Sequence, residues 1–344
     1  MFQKKKVCII YGGPSDEHEI SLKSARNILK DFDTEKYFLI EVFLSKDLVF
    51  EFVGDRSQEK ELQEKSAESI FDESGFFDYL KKENVDYVFP ILHGKYGEDG
   101  AIQEKLENIN IKYFGSDSTA SYNAMNKSIT NKIFEEAGIS VPKTKVINQN
   151  NYKEEIKNYF NFPIILKPVS GGSSIGLYKF ENEKEYFEII NKIFEEKITE
   201  TEIKLKEGRE FMLQEFIIGR EFTCGVIDYK SETIALPITE VILEKDAIFD
   251  YDTKYTFGAC KEITPAQVQE NLGQDIKNLA LKCHKTLGCK DMSRTDMMVN
   301  SKDNKLYVLE INTLPGMTST SFIPAQLKEE GISMKDFLEY KILE

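Results

Sequence analysis

The segment SRTDMMVNSKDNKLYVLEIN, residues 293–312, holds two strand-like runs joined by a polar turn. Arg294 and Asp296 share one face of the first run and Glu310 and Asn312 share one face of the second, because side chains alternate along a strand. A hairpin whose loop has an odd number of residues, such as 301–305, sets Asp296 opposite Glu310 and Arg294 opposite Asn312. One face then presents three oxygen ligands and one guanidinium. Carboxylate and amide oxygens without His or Cys suit a hard cation such as Mg²⁺, which keeps waters and binds substrate phosphates. The plainer alternative is a solvated hairpin face. Against it, Met297, Val299, Leu309 and Ile311 alternate with the polar set and imply that the opposite face is buried.

Two further groups could handle phosphate or a small ligand. KPVSGGSSIG, residues 167–176, can turn backbone N–H groups onto phosphate oxygens while Lys167 adds charge, although a run of small residues is also an ordinary hairpin loop. It matches neither G-x-x-x-x-G-K-[ST] nor G-x-G-x-x-G, and the lack of the latter argues against a nicotinamide dehydrogenase. Glu17 with His18 falls in the loop GGPSDEHEIS (12–21), and His93 with Glu98 and Asp99 falls in HGKYGEDG (93–100). Both loops follow apolar runs and belong at one edge of the same sheet, where a shared small-ligand site competes with two ordinary turns.

The elements that must position these residues read as α/β. Over the first ~115 residues, apolar runs at 6–11, 37–44, 85–92 and 111–114 alternate with amphipathic stretches at 18–31, 76–83 and 101–108, which implies a parallel sheet with ligands at its carboxyl edge. A helical stretch over 117–137 follows. Strand-like runs come next at 163–168, 177–180, 210–217 and 220–227, with a charged helix and turn across 181–209. The stretch 245–264 has no clean period and is too long for an ordinary connector, so it reads as a lid. A helix over 265–287, the hairpin, the loop NTLPGMTSTS and short helices close the chain.

Composition narrows the class. The chain has 344 residues, 41% hydrophobic and 30% charged, enough for about two or three domains at ~150 residues each. Lys plus Arg number 45 against 59 Asp plus Glu, and the net charge of −14 disfavours a nucleic-acid coat. Phosphate binding must therefore come from a few focused cations and backbone amides. The five-residue apolar run at 7–11 is below the ~7–15 of a signal-peptide core, and nothing approaches the ~20 residues of a membrane span. Five cysteines without C-x-x-C and three scattered histidines fit a reducing cytoplasm and argue against zinc.

The motifs GGPSDEHEIS, HGKYGEDG, YFGSDSTASYNAMNK, LKPVSGGSSIG, FDYDTKY, SRTDMM and LEINTLPGMTSTS, in this order, resemble those of the D-alanine:D-alanine ligases of the ATP-grasp superfamily over nearly the whole chain. The resemblance implies a Rossmann-like (preATP-grasp) N-terminal domain at 1–118, a central ATP-grasp subdomain at 119–218 and a C-terminal one at 219–344. It implies that Lys127 and Lys167 contact ATP phosphates, that Glu215 and Glu221 serve the adenine hinge and the ribose, and that Asp296, Glu310 and Asn312 hold two Mg²⁺ ions, with Mn²⁺ able to stand in. Glu17 corresponds to the anchor for the first D-alanine's ammonium and His93 lies near its carboxylate. Arg294 and the Gly316 backbone correspond to the oxyanion stabilisers, and Ser321 to the contact for the second carboxylate. Ser173 and Tyr255 link Glu17 to the lid, and Lys254 is the lid's cation. Cytoplasmic peptidoglycan-precursor synthesis by a homodimer is implied. A D-lactate-using ligase and a non-catalytic sensor on the same scaffold are the rival readings. Phe322 departs from the aliphatic residue common at that position.

Overall fold

A computed structural model describes residues 4–55, 69–148, 150–159, 161–172, 176–194, 210–243 and 260–344. Three sheets follow one another along the chain. The first has the order β4-β3-β2-β1-β5-β6, built from β1 (Lys5–Gly12), β2 (Tyr37–Leu44), β3 (Phe50–Asp55), β4 (Ser69–Phe71), β5 (Tyr87–Leu92) and β6 (Lys112–Tyr113). Strands β2, β1, β5 and β6 are parallel, as the alternation with α1 (His18–Ile28), α2 (Glu73–Lys82) and α3 (Ala101–Asn108) requires. Strands β3 and β4 extend this sheet through antiparallel pairings, an addition the sequence reading left out.

The second sheet is antiparallel, in the order β7-β10-β8-β9: β7 (Thr144–Ile147), β8 (Ile164–Pro168), β9 (Tyr178–Phe180) and β10 (Phe211–Glu215). Helices α6 (Tyr152–Tyr159) and α7 (Glu183–Phe194) contribute Tyr152, Ile156, Tyr186 and Ile190 to its core. The third sheet comprises β11 (Gly219–Tyr229), β12 (Glu232–Ala235), β13 (Thr239–Leu243), β14 (Cys260–Ile263), β15 (Met292–Asn300) and β16 (Leu306–Asn312). The remaining helices are α4 (Ser118–Met125), α5 (Lys127–Glu136), α8 (Glu270–Leu287), α9 (Phe322–Glu330) and α10 (Met334–Leu343).

Two boundaries differ from the sequence reading for local reasons. The helical stretch at 117–137 is broken at Asn126, which is extended (φ −93°, ψ 97°) and whose side chain caps α5 by accepting from the Ser128 and Ile129 N–H groups. The break puts Lys127 at the first position of α5, where its N–H donates to Val169 O. Helix α8 begins at Glu270 rather than 265, because Ala266 N–H donates to Ile238 O and ties the preceding segment to the sheet.

Packing does not follow chain order. Phe134, Ile139 and Val141 share a core with Phe222, Ile276 and Met297, whereas Phe337, Leu338 and Ile342 of α10 pack against Val7, Ile9 and Phe89 of the first sheet. A polar stitch crosses the same junction. Lys341 Nζ, buried, contacts Asp291 Oδ1 at 2.7 Å, and Asp291 Oδ2 accepts the Gly115 N–H at 2.7 Å. The end of the chain thus braces the first sheet against the third, and the loops between them become the site.

Candidate active site

The hairpin delivers the expected pairing by an unexpected route. Asp296 faces Glu310 and Arg294 faces Asn312, yet Met297 pairs with Val308, so Leu309 is an extra residue in a bulge. The turn has four residues, 301–304, not an odd number, since Asn300 N–H donates to Lys305 O; the bulge supplies the missing offset. It also corrects the buried set, with Val308 rather than Leu309 joining Met297, Val299 and Ile311 in the core.

On the polar face, Arg294 forks onto Asp296, Nε to Oδ1 at 2.9 Å and Nη2 to Oδ2 at 2.7 Å. Thr223 Oγ1 donates to Asp296 Oδ1 at 2.6 Å, and Asn312 Nδ2 lies 3.5 Å from Oδ2. Burial would push the Arg294 pKa down, but the Asp296 carboxylate, with Glu310 and Glu98 nearby, outweighs that and raises it. Two carboxylates and one amide oxygen lie on one face. Among the described residues no group of three His, Cys, Asp or Glu side chains is placed to hold a metal ion by itself. This open oxygen set fits a hard cation completed by water and phosphate oxygens, and it does not fit a thiolate- or imidazole-seeking metal.

Opposite Glu310 stands the glycine loop. Lys127 Nζ donates to Gly171 O at 2.6 Å and lies 3.7 Å from Glu310 Oε2. One cleft is lined by Glu98, Lys127, Gly171, Gly172, Glu310 and Asn312. Lys167 is buried on β8, Glu215 ends β10 and Glu221 lies on β11. Ser173, Lys254 and Tyr255 lie outside the described residues, as does most of the 245–264 segment; its last residues form edge strand β14.

Glu17 is the N-cap residue of α1, and its carboxylate rests against two glycines. A Cβ at Gly94 would sit 3.0 Å from Glu17 Oε2 and one at Gly172 would sit 2.7 Å away, so a side chain at either position would displace that carboxylate. Glycine therefore lets the loops of the first and second sheets close on one carboxylate. His93 is buried with both ring nitrogens engaged, Nδ1 with Leu314 O and Nε2 with Ser24 Oγ, each at 3.0 Å. Burial lowers its pKa despite Glu17, so the ring is neutral, with Nδ1–H donating to Leu314 O. His93 is thus a tie between sheets, and its ring has no nitrogen left to offer a ligand directly.

Glu98, singled out in the sequence only as a neighbour of His93, accepts the Gly94 N–H at 2.7 Å and the Leu314 N–H at 3.3 Å. Burial, reinforced by the Glu17 charge, pushes its pKa up to about 8. A carboxyl raised in the folded state contributes stability that is complete below its unfolded value and is lost as pH rises through about 8. The lowered His93 works in the opposite sense, but only below its ordinary value of 6.5. The free protein's melting temperature should therefore decline between about pH 6.5 and 8. Glu98→Gln, which cannot ionise, should flatten that decline in differential scanning fluorimetry; an unchanged slope would show that Glu98 does not titrate there.

The loop after β16 completes the arrangement. A Cβ at Gly316 would meet Ser321 Oγ at 3.0 Å, and Ser321 is the N-cap residue of α9, with its Oγ accepting the Thr318 N–H at 3.1 Å. The Phe322 ring lies 5.4 Å from the Arg294 guanidinium carbon, a cation–π contact that an aliphatic residue would not make. The structure thus gathers Lys127, Glu310 and Asn312 around the glycine loop, Glu17 beside Gly172, and Arg294 beside Asp296. Sequence reasoning missed Thr223 and Ser24, since a hydroxyl on a strand or helix carries no motif.

With this geometry in place, comparison with known proteins is decisive about family. The description "D-ala D-ala ligase N-terminus" matches residues 6–116 and "D-ala D-ala ligase C-terminus" matches 133–343. A D-alanine–D-alanine ligase of Carboxydothermus hydrogenoformans is 33% identical, covering 98% of this chain and 97% of that protein. Among solved structures, the VanG D-Ala:D-Ser ligase of Enterococcus faecalis superposes with a TM-score of 0.77 at 28% identity, covering 99% of each chain. The D-alanine–D-alanine ligase of Bacillus anthracis complexed with ATP superposes with a TM-score of 0.72 at 27% identity, covering 98% of this chain and 96% of that one. No helix among the described residues is long and apolar enough to cross a membrane. The chain belongs to the D-alanine–D-alanine ligase family, whose members are ATP-dependent D-Ala–D-X ligases.

Proposed function

We propose that this protein joins two D-alanine molecules to D-alanyl-D-alanine, forming ADP and phosphate. The observation that carries the reading is the single cleft holding Lys127, Gly171, Gly172, Glu310 and Asn312, with Glu17 against Gly172 at its edge. Anion-binding and cation-binding groups are thereby close enough to act on one small substrate.

A carboxylate is a poor acylating agent, so the first D-alanine carboxylate attacks the γ-phosphorus of ATP and ADP departs, leaving an acyl phosphate. Lys127 and Lys167 offset phosphate charge, while Glu215 and Glu221 serve the adenine and ribose end. Asp296, Glu310 and Asn312 would hold Mg²⁺ (or Mn²⁺), which supplies charge neutralisation on the transferred phosphate. Glu17 holds the first ammonium, and Ser321 at the α9 N-terminus takes the second carboxylate. The second amine, once deprotonated, attacks the acyl carbon; Arg294 and the Gly316 N–H receive the oxyanion charge, and phosphate leaves as the C–O bond breaks. Domains at 1–118, 119–218 and 219–344, a cytoplasmic location beside ATP and a homodimer complete the proposal.

The acceptor rests on Tyr255, within FDYDTKY, and Ser173, which with Glu17 would form a hydrogen-bonded link favouring an amine nucleophile. A second reading, a D-serine acceptor, is supported by the structural likeness to the D-Ala:D-Ser ligase, and a D-lactate acceptor is the remaining alternative. An amino-acid and hydroxy-acid panel in a coupled ADP assay, with product mass, tests both. D-alanyl-D-alanine should dominate from an equimolar mixture at pH 8, and Tyr255→Phe should move the product toward D-alanyl-D-lactate, most at lower pH. Depsipeptide or D-alanyl-D-serine as the main wild-type product would overturn the proposed acceptor.

A further inference from the structure

Helix α1 does more than begin with Glu17. Ser24 lies seven residues on and Asn27 ten, roughly 10 and 15 Å along the helix axis. Both reach the main chain of the loop that follows β16. Asn27 Nδ2 donates to Met317 O at 2.9 Å, and Ser24 Oγ accepts the Met317 N–H at 3.2 Å. With His93 neutral, Ser24 O–H donates to His93 Nε2 and His93 Nδ1–H donates to Leu314 O, closing a ring of hydrogen bonds around residues 314–317. Leu314, Pro315 and Met317 are buried, and only Gly316 among them is partly open. The helix itself is pinned, since Ser21 Oγ accepts the Gly12 N–H at 2.7 Å and donates to Ile91 O.

We propose that Ser24 and Asn27 are positioning residues that hold the Gly316 loop at a set distance from Glu17. One rigid helix then measures the separation between the group holding the first substrate's ammonium and the N–H that receives the oxyanion formed at its acyl group. The inference rests on the proposed roles of Glu17 and Gly316. Its consequence is a particular failure. If the loop drifts, the acyl phosphate still forms at Lys127 and Glu310, but capture by the second amine slows and water hydrolyses the intermediate. ADP then accumulates faster than dipeptide.

The test is the ratio of ADP formed to dipeptide formed, measured on the same wild-type, Ser24→Ala/Asn27→Ala and Ser24→Thr samples. Wild type should give a ratio near one. The double variant should lose about tenfold in dipeptide turnover and raise the ratio above about two, because small misplacements of reacting groups cost heavily. KM for ATP should stay within about twofold, as the nucleotide groups are untouched. Ser24→Thr, which keeps the hydroxyl, should restore the ratio. A ratio that stays at one in the double variant would overturn the proposal even if turnover falls, since loss of folded enzyme lowers ADP and dipeptide together. If the double variant does not fold, Asn27→Asp removes one donor at a partly exposed position and is judged by the same ratio. Should wild type use another acceptor, the D-alanine assignment falls, and the ratio with that acceptor still decides the role of Ser24 and Asn27.

Discussion

Glu310→Gln should lower turnover by about 10²-fold or more while shifting unfolding free energy by less than about 1 kcal/mol. The separation of the two effects follows from where the carboxylate sits. Glu310 is partly exposed on the polar face of β16, 3.7 Å from Lys127 Nζ, and the buried neighbours on that strand are Val308 and Ile311. Gln keeps the volume and one oxygen, so neither the core nor the register with Asp296 is disturbed. What is lost is charge at the point where the cleft meets phosphate, and phosphoryl transfer depends on positioning and charge more than on any covalent help from the protein. Calorimetric titration with ADP supplies a readout besides rate. Added Mg²⁺ should tighten ADP binding to wild type and do so much less in the variant. An undiminished Mg²⁺ increment, or turnover within about threefold of wild type, would remove Glu310 from the metal set.

The readable part of this site was the part written in strand alternation and loop chemistry. Period-two spacing set Arg294 with Asp296 and Glu310 with Asn312, and the cross-strand pairs at these positions follow. The bulge at Leu309 was not readable, because either Val308 or Leu309 could fill the buried position before Glu310 and nothing in their composition chooses between them. The end of β1 and of β5 pointed to Glu17 and His93, but not to what His93 does. Its neutral ring and its ties to Leu314 and Ser24 depend on a contact 221 residues away in sequence. Glu98 is the same case: burial and the Glu17 charge push its pKa up against two backbone N–H donors that pull it down, and a single acidic residue in a polar loop announces neither. The antiparallel pair β3 and β4 was passed over because β4 is three residues long. The split of 117–137 into two helices turns on one asparagine capping inward. That is visible once Lys127 is known to face the glycine loop, and invisible in the helical periodicity alone.

Arg294→Met should abolish most activity and destabilise the fold, and the two losses should come apart when Asp296 is changed as well. Arg294 is mostly but not fully buried, its side chain 13% exposed, and its guanidinium forks onto Asp296, with the Phe322 ring against its face. Methionine fills much of the space but leaves Asp296, 8% exposed, with hydrogen bonds and no fork of positive charge. Breaking a buried pair in this way costs about 3–5 kcal/mol, because a charge remains out of water without its partner. Asp296→Asn in the Arg294→Met background removes that charge and should return most of the lost stability in urea unfolding. Turnover should not return. Loss of one oxyanion donor costs about 10²–10³ in rate, and the second substitution also takes a carboxylate from the metal set. Arg294→Lys isolates the geometry from the charge: an ammonium keeps a positive partner for Asp296 but cannot make the planar two-point contact. It should remain close to wild type in unfolding midpoint and still lose turnover heavily, with KM for ATP little changed. Stability and rate that fall and recover in parallel across the three variants would mean that Arg294 serves the fold through Asp296 and has no direct part at the acyl carbon.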